Sequence, residues 1–242
     1  MSEVESAIGK SPPRLEAGEK AGGSALFTGD MTMPGMLHAA LLTSPYPHAR
    51  ILSYDTSAAL AHSGVKAVVT AEDITGGLFG PVVKDETALA RGKVRYIGEP
   101  VAAVAAVDEA TARYAARLIE VEYEELPTAT TVAEATAEDA PILHEDFTEY
   151  FKVYQAPENA GNIMARAEAT VGRGLDGFDE ADVVVEGTYE VPAQYHAYME
   201  PATALAAFGP DGRVTIWSST QSIFRTQANI HEGLGIPMGK IR

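Results

Sequence analysis

The sequence contains no cysteine among its 242 residues. Disulfide bonds are therefore excluded, and so are zinc sites and iron–sulfur clusters that need thiolate ligands from this chain. The histidines do not fall at the paired spacings of metal ligands, which argues against a histidine metal site. If the chain takes part in redox chemistry, the electron-carrying centres must lie on a partner.

Basic residues are also scarce. Lys and Arg number 18 against 34 Asp and Glu, which gives a net charge of −16, and no Lys/Arg cluster occurs. This balance argues against binding to nucleic acid or to an anionic membrane, because both require a basic surface. No run approaches the roughly 20 apolar residues that span a bilayer, and the first residues lack the basic-then-apolar pattern of a secretory signal. The default expectation is a cytoplasmic location without a membrane span.

Standard catalytic signatures are missing as well. The sequence has no phosphate-binding loop and no nucleophile elbow, and the glycines of residues 76–80 have the wrong spacing for a dinucleotide loop. Adjacent carboxylates occur in polar surroundings and are expected to be solvated rather than catalytic. They are Glu124 with Glu125, Glu145 with Asp146, and Asp179 with Glu180. Glu200 differs, because it lies in an apolar stretch; we expect it to be buried, with a structural role favoured over catalysis.

The pattern of residues predicts two domains. Residues 1–23 are polar and rich in Gly and Pro, which predicts an extended arm. The unit Val94–Tyr123 predicts a strand, a helix capped by Asp108 and a second strand, with the two strands parallel. Residues 131–165 show little periodicity and predict a linker. Strands are predicted over residues 35–42, 49–53, 65–70, 101–107, 119–123, 182–191, 203–208 and 213–218, and short helices over 56–61, 72–74 and 109–118.

A glutamine close to the C-terminal end attracts attention by its position. Gln221 follows the predicted strand that ends at Ser218 and precedes a predicted helix that stops at Gly235. Unpaired N–H groups at the start of a helix attract oxyanions and oxo groups, so a side chain at this junction is well placed to orient one. The alternative is that Ser219 or Thr220 caps the helix and that Gln221 is simply solvated.

Several segments, taken in order, resemble one family and cover nearly the whole chain from about residue 14. The stretches with this resemblance are 34–37, 44–51, 64–68, 95–104, 115–127, 178–189, 196–201 and 219–221. The first five resemble the α/β-hammerhead domain of the molybdenum hydroxylases, the family of xanthine dehydrogenase, aldehyde oxidase and carbon monoxide dehydrogenase. The last three resemble the start of the molybdopterin-binding domain. The number, order and spacing of these segments carry the resemblance.

The resemblance implies an α+β fold: an α/β-hammerhead domain over residues 24–130, then the first part of a molybdopterin-binding α+β domain over residues 166–242. It implies that Gln221 hydrogen-bonds the oxo ligand of molybdenum and that Ser222 and Arg225 face the substrate. The implied cofactor is a molybdenum-pyranopterin, either molybdopterin or its cytosine dinucleotide, with 2Fe-2S and FAD centres on other subunits. The implied reaction is hydroxylation of a carbon centre with oxygen derived from water.

The resemblance also implies that important parts lie beyond Arg242, namely a glycine-rich loop that contacts the cofactor and the catalytic glutamate. We therefore expect either the N-terminal piece of a molybdenum subunit that is split over two genes or a truncated fragment of such a subunit, inactive alone. The expected partners are the chain carrying the remainder, an iron–sulfur subunit and an FAD subunit. The alternative hypothesis is a non-catalytic assembly chain that keeps the hammerhead for subunit contacts. The Ser219, Thr220 and Gln221 motif distinguishes the two, because a scaffold has no physical reason to keep it.

Overall fold

The computed structural model describes residues 8–154 and 161–242. The helices are α1 (Ala17–Ala21), α2 (Ser57–Ala61), α3 (Glu109–Ala116), α4 (Val132–Ala135) and α5 (Ile223–Leu234). The strands are β1 (His38–Thr43), β2 (Ala49–Asp55), β3 (Val65–Thr70), β4 (Lys93–Val94), β5 (Pro100–Ala106), β6 (Glu120–Glu125), β7 (Ala204–Phe208) and β8 (Val214–Ser218). None of the helices within this described part is long and apolar enough to cross a membrane.

Two three-stranded antiparallel sheets form the N-terminal region. In one sheet β5 lies between β1 and β3, and in the other β2 lies between β4 and β6. The predicted parallel pairing within Val94–Tyr123 is therefore wrong, because β5 and β6 belong to different sheets. The continuous apolar run of β5 indicated a strand covered on both faces, but an antiparallel strand between two layers meets that condition equally well.

The side chains of β5 contribute to two separate hydrophobic clusters. Ala102 and Val104 pack with Ala59 of α2 and with α3, whereas Val101 packs with Val94 and residues of β2. Val101 and Val104 are each at most 1% exposed. Alanine dominates where α3 meets the sheet, so backbone and helix approach closely. Asp108 caps α3 as predicted, accepting a hydrogen bond from the Thr111 N–H at 2.8 Å.

The segment predicted as a linker lies along the surface of the N-terminal region wherever the structure describes it. The Lys93 ammonium contacts the Glu145 carboxylate at 2.7 Å, and the Arg95 guanidinium donates to the Leu143 carbonyl at 3.2 Å. Asn162 closes the segment on itself: its amide nitrogen donates to two carbonyl groups and its amide oxygen accepts from a backbone N–H, all at 2.9–3.0 Å. Polar contacts therefore hold this segment where apolar packing is sparse.

Two local predictions do not hold. The predicted extended arm contains helix α1, while residues 1–7 lie outside the described residues. Residues 182–191 alternate like a strand but form none, and the side chains of Val183, Val185 and Val191 are 77–88% exposed. A strand needs a neighbour that accepts its N–H groups, and no described residue supplies one to this segment. By contrast, the predicted hairpin of β7 and β8 is confirmed, as is the end of α5 at Gly235 in a left-handed conformation.

Candidate functional site

The candidate site is the connection between β8 and α5. Four residues, 219–222, join the end of the strand to the start of the helix. Ser219 fixes the strand end: its N–H donates to the Thr203 carbonyl at 3.2 Å and its hydroxyl oxygen accepts from the Thr203 N–H at 3.0 Å. Thr203 directly precedes β7, so both ends of the hairpin are tied together beneath the connection.

The turn itself is closed by Thr220. Its hydroxyl oxygen accepts from the Ser222 N–H at 3.2 Å and lies 3.0 Å from the hydroxyl oxygen of Thr226 in the first turn of α5. Ser222 is the residue immediately before the helix and makes no capping bond with its side chain. Neither Ser219 nor Thr220 accepts a hydrogen bond from a first-turn N–H of α5, so the predicted capping alternative does not occur in that form.

The three residues predicted to face a cofactor or substrate all lie at this exposed helix start. Gln221, Ser222 and Arg225 are exposed. The amide group of Gln221 makes no hydrogen bond to any residue in the described ranges. The N–H groups of residues 223–225, at the start of α5, have no acceptor inside the helix. The site therefore combines a free amide with a positive helix end, which suits an oxygen-bearing ligand.

A groove of about 810 Å³ runs along α5 beside the candidate site, and Thr220 and Ile223 are among its lining residues. Trp217, Phe224 and Ile230 contribute apolar lining, and the last residues of the chain border it. Gln221, Ser222 and Arg225 are not among its lining residues. The Gln227 amide donates to the Ile241 carbonyl at 2.7 Å and fixes residues 238–242 beside β8. The groove therefore lies beside the exposed helix start without including the three residues predicted to face cofactor or substrate.

The C-terminal half of α5 rests on the N-terminal region. The Gly77 N–H donates to the Glu232 carbonyl at 2.7 Å, and the Lys84 ammonium contacts the Glu232 carboxylate at 2.6 Å. A side chain at Gly76 would overlap the Gly233 carbonyl group, and one at Gly233 would overlap the ring of Phe79. The glycines of residues 76–80 do not have the spacing of a dinucleotide loop, and their role in this contact was not predicted. Glycines on both sides, in residues 76–80 and in the last turn of α5, were the sequence signals for this contact.

The prediction for Glu200 is wrong. Glu200 is exposed, like all of residues 191–200, because the apolar side chains around it have no neighbouring element to pack against among the described residues. The adjacent carboxylates behave as predicted for surface groups. Glu124, Glu145 and Glu180 each form an ion pair, with Arg50, Lys93 and Arg173, respectively.

Known proteins resemble the chain along almost its full length. Residues 22–127 match the family described as aldehyde oxidase and xanthine dehydrogenase, a/b hammerhead domain, and residues 155–242 match the molybdopterin cofactor-binding domain. A probable xanthine dehydrogenase subunit of Bacillus subtilis (strain 168) is 38% identical over 92% of this chain and 28% of its own length. The nicotinate dehydrogenase large molybdopterin subunit of Eubacterium barkeri is 34% identical over 97% of this chain and 52% of its own length.

Solved structures give the same result. Quinoline 2-oxidoreductase from Pseudomonas putida 86 superimposes with a TM-score of 0.82 at 30% identity, covering 98% of this chain and 30% of that protein chain. Aldehyde oxidoreductase from Desulfovibrio gigas gives a TM-score of 0.80 at 31% identity, covering 95% and 25%. The chain thus spans between about a quarter and about half of the length of these relatives. The chain belongs to the molybdenum hydroxylase family of xanthine dehydrogenase and aldehyde oxidase, and it combines a hammerhead domain with sequence of the molybdopterin cofactor-binding domain.

Proposed function

We propose that the chain forms part of the molybdenum-binding subunit of an oxidoreductase that hydroxylates a carbon centre with oxygen derived from water. The substrate class is an aldehyde, a purine or another N-heterocycle. Family membership supports this class, as do the xanthine, nicotinate and quinoline enzymes among the similar proteins. The observation that carries the proposal is the free amide of Gln221 at the start of α5.

The residues at the elbow fit a molybdenum-pyranopterin cofactor. A glutamine amide is neutral and offers two N–H donors, so Gln221 suits an oxygen ligand of the metal and does not compete to be a metal ligand itself. The neighbouring Ser222 and Arg225 are exposed on the same turn and in our proposal face the substrate. When bound, the cofactor, as molybdopterin or its cytosine dinucleotide, supplies the oxygen transfer and accepts the electrons.

The proposal requires further chains. A polypeptide that carries the remainder of the molybdenum subunit would supply the glycine-rich loop and the catalytic glutamate, and without it this chain would be inactive. Because this sequence offers no thiolate ligands, our proposal assigns the 2Fe-2S clusters to a different subunit, and it assigns FAD to another. The exposed apolar side chains of residues 183–191 support this arrangement, because a partner would cover such a surface.

A mass measurement and one substitution test the proposal. Native mass spectrometry of the protein from its own source should show a complex with a chain that supplies the remainder and about one molybdenum per complex. In that complex Gln221→Ala should lower kcat by about 100-fold, because one preorganised donor toward developing charge is typically worth about 10² to 10³ in rate. Gln194→Ala is the matched control, since Gln194 is exposed in the same region and bonds only the Pro192 carbonyl.

The results separate this function from its rival. Wild-type turnover by Gln221→Ala in a complex with full molybdenum content would refute the role of Gln221. A purified protein that carries no molybdenum and binds only other subunits would instead support a non-catalytic assembly chain.

A further inference from the structure

The contact between the hammerhead domain and the far end of α5 has a geometry that only glycine allows. A Cβ atom added at Gly76 would lie 2.1 Å from the Gly233 carbonyl oxygen, and one added at Gly233 would lie 2.6 Å from the ring of Phe79. Both distances are much shorter than a van der Waals contact, so a side chain at either position would clash. Gly233 is also buried, although it lies near the end of a surface helix. Two segments more than 150 residues apart in sequence are thus fitted to each other.

Polar groups lock the same contact. The Gly77 N–H donates to the Glu232 carbonyl, and the Lys84 ammonium reaches the carboxylate of the same residue. The Lys84 and Glu232 side chains are only about one third exposed, so water screens this ion pair less than a fully exposed one. The Arg91 guanidinium donates to the Gly76 carbonyl at 2.6 Å and holds the hammerhead side of the contact in place.

We propose that this glycine clamp, formed by Gly76, Gly77 and Phe79 against Glu232 and Gly233, sets the position of α5 and thereby places Gln221. The inference rests on the proposed function for the role of Gln221. The coupling between the clamp and the start of α5 does not depend on that function. In this proposal those five residues act as positioning residues through α5 and not by binding cofactor or substrate. In this proposal the hammerhead domain helps to orient the candidate site, in addition to packing against it.

Because α5 is long, a small tilt at the clamp produces a large displacement at the start of the helix. Ten residues separate Ile223 from Gly233, which is about 15 Å along the axis at about 1.5 Å per residue. A tilt of about 10° at the clamp would displace the start of the helix by about 2.6 Å over that length. Misplacement of a reacting group by about 1 Å already costs about 100-fold in rate in some enzymes. Residues 221–225 are exposed, so the hydrogen bonds of Thr220 and the short connection to β8, and not apolar packing, oppose such a tilt at that end.

Gly233→Ala in the assembled complex tests the clamp. Alanine favours helix more than glycine does, so any loosening arises from the clash with Phe79 and not from helix propensity. Hydrogen exchange of peptides covering 74–80 and 220–226 should become about tenfold faster, equivalent to about 1.4 kcal/mol. Gly177→Ala is the control, because nothing lies within 4 Å of a Cβ atom there. Phe79→Ala added to Gly233→Ala should slow the exchange again, because it removes the ring atoms that clash with the new Cβ atom.

A second variant guards against misfolding. Glu232→Gln removes the ion pair without adding volume, and it should accelerate exchange of the same two peptides about two- to fivefold. In a molybdenum-containing complex, both variants should lower kcat with little change in KM and should alter the molybdenum electron paramagnetic resonance signal.

Acceleration confined to 74–80 and to the last turn of α5, with 220–226 and kcat unchanged, would overturn the positioning role. A wild-type complex without molybdenum would refute the proposed function, and the exchange of 220–226 would still decide whether the clamp holds the start of α5.

Discussion

Truncation of Val104 is expected to destabilise the hammerhead domain by about 2–3 kcal/mol. The Val104 side chain is 1% exposed and packs with Ala102 and α3. Val104→Ala deletes two methyl groups, which is about 1.6 kcal/mol at about 0.8 kcal/mol for each buried carbon. The rest is the cavity, which the rigid antiparallel neighbours β1 and β3 cannot close. Val101→Ala should cost a similar amount, because Val101 is equally buried in the other cluster.

Urea denaturation of the assembled protein, monitored by hydrogen exchange of β1, β3 and β5, measures the loss in free energy of unfolding. Val107→Ala is the matched control: Val107 directly follows β5 but is 47% exposed, so its truncation should cost less than about 1 kcal/mol. The clusters on the two faces share only the strand backbone and a few half-buried side chains. A Val101 effect no larger than that of Val107 would refute the argument that β5 is a core strand on both faces.

Two further predictions concern ionisable groups that folding removes from water. Burial and the nearby Arg95 guanidinium lower the pKa of His144, so folding favours its neutral form. The docking of the linker should therefore weaken as the pH falls below about 6.5. Hydrogen exchange of residues 141–152 between pH 8 and 5 measures this, and His144→Gln should flatten the dependence of that exchange on pH. Burial raises the pKa of Glu99, opposed by a hydrogen bond from the Arg95 N–H at 2.5 Å. Glu99→Gln keeps an acceptor and should cost less than about 1 kcal/mol in urea denaturation, whereas Glu99→Ala strands that N–H and should cost about 1–3 kcal/mol.

Local signals predicted most of the elements in the hammerhead domain. Strand β3 was predicted with its observed ends, and the Asp108 cap gave the start of α3 because a side-chain acceptor at that position satisfies a free N–H of the helix. The hairpin of β7 and β8 followed from the turn over residues 209–212. Each of these features is decided by residues close in sequence, which is why the sequence contained enough information.

Features decided by distant partners were predicted less well. The β5 run indicated burial on both faces, but nothing in it specified that β1 and β3 would be its neighbours rather than β6. Residues 182–191 alternate like a strand but have no partner strand among the described residues. Strand propensity without a partner was not sufficient to form a sheet there. The predicted burial of Glu200 was wrong for the same reason. It was inferred from apolar neighbours in the sequence, and those neighbours have no element to pack against among the described residues.

The candidate site shows where sequence and structure contribute different things. Periodicity placed Gln221 between a strand and a helix, and the structure has it there, exposed and without a partner among the described residues. Its chemical role came only from the resemblance, because a free amide beside a helix start suits many oxygen-bearing ligands. In our proposal, the contact of Gly76 and Phe79 with Gly233 holds that amide in place. Local pattern can therefore locate a residue, while its precise position is proposed to depend on a contact made ten residues beyond the first residue of the helix.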